Sequence, residues 1–525
     1  MSKKIGLHRT SVCLENNYEY WASEFKKEEQ LLRSILDDLL IEIEHVGSTA
    51  INHIFAKPII DIAIAVSNES IFPEVIKKLT DNGYILRPDN GDDERIFIVK
   101  GNESNRTHYI HIHPWRSKGW FSQLYFRDFL NSNIKAAKQY EILKINLSHK
   151  YPNDRQKYSQ GKDVFISEIL SSVPYSFDDL FEISNQKNIP HQDLILIMLN
   201  MYGINADIES PRIRTNIFLD SNKEEFFYLG LPNNNESCFY LVDNDVYLYN
   251  KKIGTVNKLE NDDCATSYFR KSKTVITLNS NSRSVCIGCK FCPNNLELNS
   301  EDSSLDSIQK IKEHFNIIMK HKDLSTIERL TICTGCFGNE DNALEHLLLI
   351  NNVAKEINFS GIFHYIGSEI ISNKAFSTSR SEIKSFMYTF TIECFSKRDA
   401  ILKDLKRNIK LSGYYENMKR AMDFGFIVNY IYVLGLDSID SMELNFRLLS
   451  EVSNNFPLIN IFQPHITEHK LLMDKKANKI EYYLLARKII EKIYKNTHLR
   501  PNSWECYRSL WYFKFDEEEM KCIRI

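Results

Sequence analysis

Apolar and polar positions recur with the periods of helices and strands along most of the chain, and breaks in this pattern divide it into segments. The first segment, about residues 18–172, is periodic and well mixed. A polar stretch with prolines, 173–190, follows it and predicts a linker. Beyond the linker we predict a lead-in α/β section at 191–269. It starts with the apolar helix pattern LILIMLNMYGI and contains a hairpin in FYLVDNDVYLYNKKIG, where alternating aromatic and β-branched runs flank the DND turn.

From about residue 270 onward, strand-like and helix-like segments alternate. The strand-like segments are TVITL, ERLTIC, GIFHYIG, FMYTFTIE, FIVNYIYVLG and LINIFQ. Six strands joined by helix-length segments predict right-handed crossovers and a parallel sheet over 270–470, either open and doubly wound or a partial (βα)6 TIM-type barrel. In either fold, function is expected where the strands end. Residues 471–525 form a helical and aromatic extension that either packs as core or covers the open side of the barrel.

Composition narrows the class of protein. Of 525 residues, 43% are hydrophobic and 26% are charged, which is typical of globular proteins. The net charge of -3 excludes the whole-chain basic field that non-specific nucleic-acid binding needs, so no strong nucleic-acid signal exists. The first 30 residues carry no signal-peptide pattern, and no stretch approaches the roughly 18 apolar residues of a membrane span. We therefore expect a cytoplasmic protein with no membrane partner.

The chain has eleven cysteines, and in a reducing compartment such a number favours metal binding or catalysis over disulfides. Cys286, Cys289 and Cys292 lie in SVCIGCKFCPNN, directly after the first strand of the alternating series. Three thiolates on one short loop can converge on a metal. An iron–sulfur cluster would keep one iron open, whereas a zinc site would need closure by Cys333 or Cys336. Unrelated structural thiols are the remaining alternative.

This loop, the six βα units and the aromatic residue before Cys292 resemble the radical S-adenosylmethionine enzymes over residues 270–470. The family's usual motif is CxxxCxxC, and this chain has CxxCxxC. The resemblance implies a [4Fe-4S] cluster held by the three cysteines, S-adenosyl-L-methionine as its partner, and an electron donor such as flavodoxin or ferredoxin. The cofactor would be cleaved reductively to modify a small-molecule substrate. The residues acting on that substrate are not assigned.

The same resemblance implies a set of cofactor-binding residues at the strand ends. They are Gly335, Gly338 and Glu340 in CTGCFGNEDN for the methionyl amino group, Glu393 and Arg398 after strand four, and Gly435 and Asp437 after strand five. Glycines permit close backbone approach, and a carboxylate suits an ammonium group. An acidic residue that closes a strand is also a common helix cap or turn former, which is the alternative reading of the acidic members.

Residues 41–66, IEIEHVGSTAINHIFAKPIIDIAIAV, carry a second pattern. A Gly47-Ser48 turn after a strand, followed by a strand with Asp61, resembles the nucleotidyltransferase superfamily, in which the turn holds a triphosphate and strand carboxylates hold magnesium. The segments EHVGSTA, AKPIIDI, YIHIHPW, YFRDFL and YPNDRQKYSQGK resemble the GrpB family over about 15–172. The resemblance implies a mixed α/β domain of nucleotidyltransferase-like fold at 1–172. The superfamily's second carboxylate position is Ala63 here.

Further polar residues of this domain are candidates for a phosphate or metal site. His111 and His113 alternate onto one face of a strand, where they form a divalent metal or phosphate site with Asp61 or line a polar groove. Lys57 and Arg95 are phosphate contacts by charge. The pairing of the two domains points to a nucleotide-like or phosphate-bearing substrate. Two alternatives stay open, a zinc-stabilised binding protein with degenerate catalytic cores and a nucleotidyltransferase active in the first domain only.

Overall fold

The computed structural model describes residues 5–88, 91, 95–261, 267–271, 273–280, 289–292, 304–320, 323–333, 337–502, 504–506 and 508–520. The chain divides into an amino-terminal unit, Met1–Ser176 with Tyr249–Lys251, and a carboxyl-terminal unit, Phe177–Leu248 with Lys252–Ile525. The division falls within the predicted linker 173–190, where the structure has a helix, Phe177–Lys187. No helix in the described ranges is long and apolar enough to cross a lipid bilayer.

The amino-terminal unit is a mixed sheet with helices. Its strands are β1 (Glu42–Val46), β2 (Ile60–Val66), β3 (Ile85–Leu86), β4 (Ile96–Gly101) and β5 (Arg106–Pro114). Its helices are α1 (Tyr18–Leu36), α2 (Phe72–Asp81), α3 (Lys118–Ser132), α4 (Ile134–Lys150), α5 (Arg155–Gln160) and α6 (Asp163–Leu170). The strand order is β1-β2-β5-β4-β3, with β2 and β5 parallel and the other pairs antiparallel.

The two faces of β2 carry different residue types, and this difference decides which face is core. Ile60, Ile62 and Ile64 lie in one apolar cluster with side chains of α1 and α2. Because successive side chains of a strand point to opposite faces, Asp61 and Ala63 lie on the other face. One face of β2 is therefore wholly apolar, and the other carries Asp61, the partly exposed residue of this strand, beside the buried Ala63.

The carboxyl-terminal unit begins with two helices and an antiparallel sheet. The helices are α7 (Phe177–Lys187) and α8 (His191–Tyr202), and the strands are β6 (Arg212–Leu219), β7 (Asn222–Pro232), β8 (Phe239–Val242), β9 (Asp245–Leu248) and β10 (Lys251–Asn261). The strand order is β7-β6-β10-β9-β8. The predicted hairpin is present as β8 and β9, with Val242 paired to Asp245 and Asp243 at φ +53° in the turn.

Each of the six strands predicted after residue 270 is present. The strands of this second sheet are β11 (Tyr268–Arg270), β12 (Val275–Leu278), β13 (Arg329–Cys333), β14 (Ile362–Gly367), β15 (Phe386–Glu393), β16 (Ile427–Leu434) and β17 (Leu458–Ile461). Strands β12 to β17 are parallel and neighbour one another in sequence order, while β11 pairs antiparallel with β12. A doubly wound sheet would reverse its strand order, so this sheet is a curled half-barrel. Closure into a TIM-type barrel stays a prediction.

Helices connect these strands, and the segment around Arg508 packs beside the last one. The helices are α9 (Ile308–Met319), α10 (Glu340–Glu356), α11 (Asn373–Glu382), α12 (Arg398–Ile401), α13 (Asp404–Arg407), α14 (Leu411–Asp423), α15 (Ile439–Ser450), α16 (Thr467–Lys470) and α17 (Ile480–Tyr494); a short pair, β18 (Lys514–Phe515) and β19 (Glu518–Glu519), follows. Trp511 and Tyr512 are buried, so the aromatic extension packs as core. It also reaches the edge strand β17, because the Ile461 amide donates to the Arg508 carbonyl.

Candidate functional site

The polar face of the amino-terminal sheet brings together several predicted residues. Asp61 pairs with Tyr109 across β2 and β5, and the same register places His111 opposite Ala63 and His113 opposite Ala65. Paired residues of neighbouring strands share a face. Asp61, His111 and His113 therefore lie on one face, opposite the apolar core, as the alternation of the sequence predicts.

The Gly47-Ser48 turn is packed directly against Asp61. Gly47 has φ +68° and ψ -167°, a conformation that essentially only glycine adopts. A Cβ at this position would lie 2.5 Å from Asp61 Oδ2. Ser48 then opens a short 3-10 turn, Ser48–Ala50, and its hydroxyl lies 3.5 Å from that of Tyr140. The glycine thus lets the turn and the strand carboxylate approach each other.

His111 is the histidine that contacts Asp61, with Nε2 3.7 Å from Oδ1. His113 is 2% exposed, and burial, followed by the field of His111, lowers its pKa to about 3, so it is neutral at pH 7. Glu44, which lies opposite Ala63, forms an ion pair with Arg127 at 2.6 Å. Within the described residues no three His, Cys, Asp or Glu side chains are arranged to hold a metal ion. The divalent metal stays a prediction, and Asp61 and His111 are the two predicted ligands that contact each other.

A group of basic side chains, here called the cationic cluster, consists of Lys57, Lys144, Arg155 and Lys162. The ammonium groups of Lys57 and Lys162 lie 5.2 and 5.0 Å from the ring centroid of Tyr158. Both cations therefore face one buried aromatic ring. The ring belongs to α5 and Lys162 precedes α6, so the short helices α5 and α6 position this part of the cluster.

The other two members are anchored differently. The guanidinium of Arg155 lies 4.7 Å from the ring centroid of Tyr109, the residue opposite Asp61. The Lys144 side chain, 1% exposed, donates to the Phe55 carbonyl at 2.5 Å. Burial, followed by the field of Lys162, lowers the pKa of Lys144 to about 7. The cluster therefore adjoins the face that carries Asp61.

The cationic cluster has few described acidic side chains near it to balance its charge. Burial, and after it Arg155 and Lys162, hold the pKa of Lys57 well below its usual value, and the field of Asp61 acts against them. In the part of the chain that the structure describes, no carboxylate lies within ion-pair distance of these three cations, although the nearby Lys157 pairs with Asp154 at 3.0 Å. Sequence reasoning found Lys57 but missed the others, although YPNDRQKYSQGK contains two of them.

Arg95 is the remaining predicted phosphate contact of this unit. It lies directly before β4, and its field acts on His113. Arg95 is thus close to the histidine side of the polar face. Its role as a phosphate contact stays a prediction.

In the carboxyl-terminal unit, the described part of the cysteine loop lies where the strands of the half-barrel end, here called the carboxyl edge. Cys289 and Cys292 pack in one cluster with Cys394, Leu436 and Phe462, which follow β15, β16 and β17. The Lys290 amide donates to the Ile401 carbonyl at 2.8 Å, and the Lys403 amide donates to Cys289 Sγ at 3.5 Å. Cys286, Gly335 and Cys336 lie outside the described residues, so the convergence of three thiols stays a prediction.

Among the predicted cofactor-binding residues, Glu393 has a strained backbone and a carboxylate that is only partly hydrogen-bonded. It ends β15 at a register shift, has φ +68°, and pairs with Lys406 at 2.5 Å. Its Oε2 is buried and has no hydrogen-bond partner in the described structure. Burial raises the pKa of the Cys289 thiol, and Glu393 raises it further. A strained residue with an unpartnered oxygen beside the cysteine loop indicates a functional position.

Arg398 and Asp437 also reach the carboxyl edge, but backbone groups engage them. Arg398 donates to the carbonyls of Ile392, Cys394, Lys406 and Ile409 at 2.6 to 3.3 Å. The fully buried Asp437 accepts from the amides of Phe395 and Ser396, each at 2.8 Å. Both side chains hold loops together in this structure. Their contacts with a cofactor stay predictions.

Of the remaining predicted residues, Glu340 and Gly435 contact other protein groups, whereas Gly338 does not meet any at its Cβ position. Glu340 accepts from the amides of Ile371 and Ser372 at 2.5 and 2.7 Å, so it caps the segment before α11. Gly435 has φ +118°, and a Cβ there would lie 3.1 Å from the Tyr483 hydroxyl. Gly338 has φ +80° with open space around it. Of the two described glycines of this set, Gly338 is therefore the one that a ligand could approach closely.

The comparisons with known proteins concern the first unit. The GrpB protein family profile matches residues 11–172. The Glutamate-rich protein GrpB of Alkalihalophilus pseudofirmus is 35% identical over 173 residues, 32% of this chain and 99% of that protein. UPF0157 protein YqkA of Bacillus subtilis is 34% identical over 30% of this chain and 45% of that protein. The crystal structure of conserved protein GrpB from Enterococcus faecalis is 30% identical, covers 30% of this chain and 94% of that chain, and has a TM-score of 0.28.

Proposed function

This chain belongs to the GrpB family, and from that premise we propose that its amino-terminal unit binds a phosphate-bearing small molecule at the cationic cluster. The observation that carries the proposal is the charge imbalance around Tyr158. Lys57, Arg155 and Lys162 have no carboxylate within ion-pair distance among the described residues. Gathering like charges is costly unless an anion joins them, and phosphate oxygens accept several charge-assisted hydrogen bonds at once.

The neighbouring groups fit a ligand that carries more than one phosphate. The Gly47-Ser48 turn offers a backbone approach beside Asp61, as small-residue turns do in phosphate sites. Asp61 and His111 would be the protein ligands of a divalent cation bound with such phosphates. Nucleotidyl transfer is less well supported than binding, because the second carboxylate position is Ala63 and Glu44 opposite it is paired with Arg127.

Calorimetric titration of the full chain with a nucleoside triphosphate and with inorganic triphosphate tests the proposal. We expect Lys57→Met and Lys162→Met each to weaken binding about tenfold, since each removes a charge-assisted contact. Lys157→Met is the matched control, because this exposed lysine is already paired with Asp154 and should leave affinity unchanged. Absence of binding by the unsubstituted chain, or equal binding by all variants, would overturn the proposal. Incorporation of labelled nucleotide that Asp61→Ala abolishes would instead support a transferase.

A second candidate function belongs to the carboxyl-terminal unit, and a specific observation favours it. Cys289 and Cys292 pack together at the carboxyl edge of a half-barrel, the position where barrel enzymes carry their chemistry. We propose that this unit is a radical S-adenosylmethionine enzyme in which Cys286, Cys289 and Cys292 would hold a [4Fe-4S] cluster. Such a cluster supplies one-electron reduction of the sulfonium cofactor. The chain's own contribution is to fix the loop through Ile401 and Lys403 and to bury Cys289.

Anaerobic reconstitution of the full chain with iron and sulfide tests this second function. We expect a brown protein with absorbance at about 400 nm that is lost in the Cys289→Ala and Cys292→Ala variants, while Cys13→Ala, an exposed cysteine elsewhere, keeps it. One equivalent of zinc and no iron would support the zinc-stabilised binding protein instead. Product analysis after reduction, for 5'-deoxyadenosine against methylthioadenosine, would then identify the bond that breaks.

A further inference from the structure

His465, just beyond β17, has ring nitrogens that form no hydrogen bonds with its described neighbours. Both ring nitrogens of His465 are buried, and neither has a hydrogen-bond partner among the described residues. Its backbone amide donates to Nδ1 of His469 at 3.3 Å, which fixes the turn at this point. A neutral imidazole carries one donor and one acceptor, and a buried imidazole that uses neither is costly. The ring of His465 is therefore placed for a ligand rather than for a protein partner.

The groups around His465 are basic. The charged groups whose fields act on it are Arg212, Arg508 and His469. Two contacts bring the chain segments that carry these arginines to the end of β17. The Ile461 amide at the end of β17 donates to the Arg508 carbonyl, and Gln463 donates to the Gly230 carbonyl of β7, the strand that pairs Pro232 with Arg212.

This basic group adjoins the cysteine loop. The side chain of His469 lies close to the backbone of Lys290, the residue directly after Cys289. It also contacts the ring of Phe462, a member of the cluster that contains Cys289 and Cys292. The basic group therefore lies at the carboxyl edge, beside the loop where the chemistry of this unit is expected.

We propose that His465, Arg212 and Arg508 form an oxyanion site that takes a phosphate group of the molecule bound at the carboxyl edge. A phosphate presents several acceptor oxygens, which match the guanidinium donors and the imidazole N–H. Two arginines and a histidine around one position favour a doubly charged phosphate over a singly charged carboxylate. The site belongs to the carboxyl-terminal unit and does not depend on ligand binding at the cationic cluster.

The experiment follows His465 directly in the full chain. Protein carrying 13Cε1-labelled histidine is titrated with inorganic phosphate, and the His465 signal is assigned by its loss in His465→Gln. We expect phosphate to shift this signal, to do so equally in a Lys57→Met background, and to need about tenfold more phosphate in Arg508→Gln. His498→Gln, at an exposed histidine of the same unit, is the control and should leave the titration unchanged.

The outcomes separate this site from the cationic cluster. A His465 signal that phosphate does not move would overturn the proposal, whatever the calorimetric result for Lys57→Met. A larger shift with acetate than with phosphate would also overturn it, because it would assign the site to a carboxylate. A phosphate response in His465 together with no ligand binding at the cationic cluster would support this site and contradict the function proposed for the amino-terminal unit.

Discussion

The two units place charged side chains in opposite ways at their candidate sites. In the amino-terminal unit, Lys57 and Lys162 face one aromatic ring, and no described carboxylate lies within ion-pair distance of them. In the carboxyl-terminal unit, Arg398 donates to four carbonyls and Asp437 accepts from two backbone amides. The first arrangement lacks counter-charge, whereas in the second both charges are engaged by backbone groups, although Arg398 Nε has no partner among the described residues.

A charged group that binds a ligand and one that stabilises the fold differ in their partners. A buried charge that backbone dipoles satisfy stabilises the loops around it, so its removal leaves buried carbonyls or amides without partners. Cations gathered without an acid destabilise the folded unit until an anion binds. Removal of a cation that lacks counter-charge and removal of a charge that backbone groups engage should therefore change the free energy of unfolding in opposite directions.

The largest effect is expected from Arg398→Met. The change leaves the carbonyls of Ile392, Cys394 and Lys406 buried without their donor, and we expect the carboxyl-terminal unit to lose about 4 kcal/mol of unfolding free energy. Denaturant unfolding of the full chain measures the loss, and triphosphate binding by the other unit should persist. A loss below about 1 kcal/mol would show that this guanidinium is not structural.

Acidification should test a buried histidine in the amino-terminal unit, whose Nε2 has no hydrogen-bond partner among the described residues. Glu28 accepts from Tyr84 and Lys100, and His108 beside it is 4% exposed. Burial lowers the pKa of His108 from 6.5 to about 4. Since the folded pKa is the lower one, its contribution is complete above pH 6.5 and is lost as the pH falls through 4.

When the pH falls from 7 to 4.5, His108 becomes protonated in the unfolded chain before it does in the folded one. We expect this difference to lower the unfolding free energy by about 2.5 kcal/mol. The measurement is the unfolding free energy of the unsubstituted chain and of His108→Gln as a function of pH. Over this pH range the variant should lose about 2.5 kcal/mol less than the unsubstituted chain. Replacement of the exposed His53 by Gln is the control and should leave the slope as it was. Equal slopes in all three proteins would contradict a neutral, buried His108.

The sequence predicts the half-barrel strands because each is an apolar run of ordinary strand length between helix patterns. It leaves open whether their sheet is doubly wound or curled, since βαβ alternation is common to both and only the spatial order of β12 to β17 decides it. At the amino-terminal site, local motifs identify Gly47 and Asp61, whereas Arg155 and Lys162 reach the site through the packing of α5 and α6. The sequence likewise does not predict the backbone carbonyls to which Arg398 donates, because loop packing sets their positions.

Two glycines provide a matched comparison of the candidate sites. Gly47 and Gly338 both have positive φ, but a Cβ at Gly47 meets the Asp61 carboxylate at 2.5 Å, whereas one at Gly338 meets nothing within 4 Å. We expect Gly47→Ala to lower the unfolding free energy by about 2 kcal/mol and Gly338→Ala by about 1 kcal/mol, the cost of the backbone conformation alone. Thermal unfolding measures both, and equal losses would show that Asp61 moves aside freely.

The smallest effect has the opposite sign and tests the charge imbalance itself. Lys57→Met removes one cation from among Arg155 and Lys162 and keeps an apolar side chain against Tyr158, so we expect about 1 kcal/mol of stabilisation together with weaker triphosphate binding. Lys144→Met is the matched change within the cationic cluster. Its ammonium donates to the Phe55 carbonyl, so its removal should destabilise the unit. If both variants destabilise the unit equally, Lys57 is a structural cation, and the contrast between the two units does not hold.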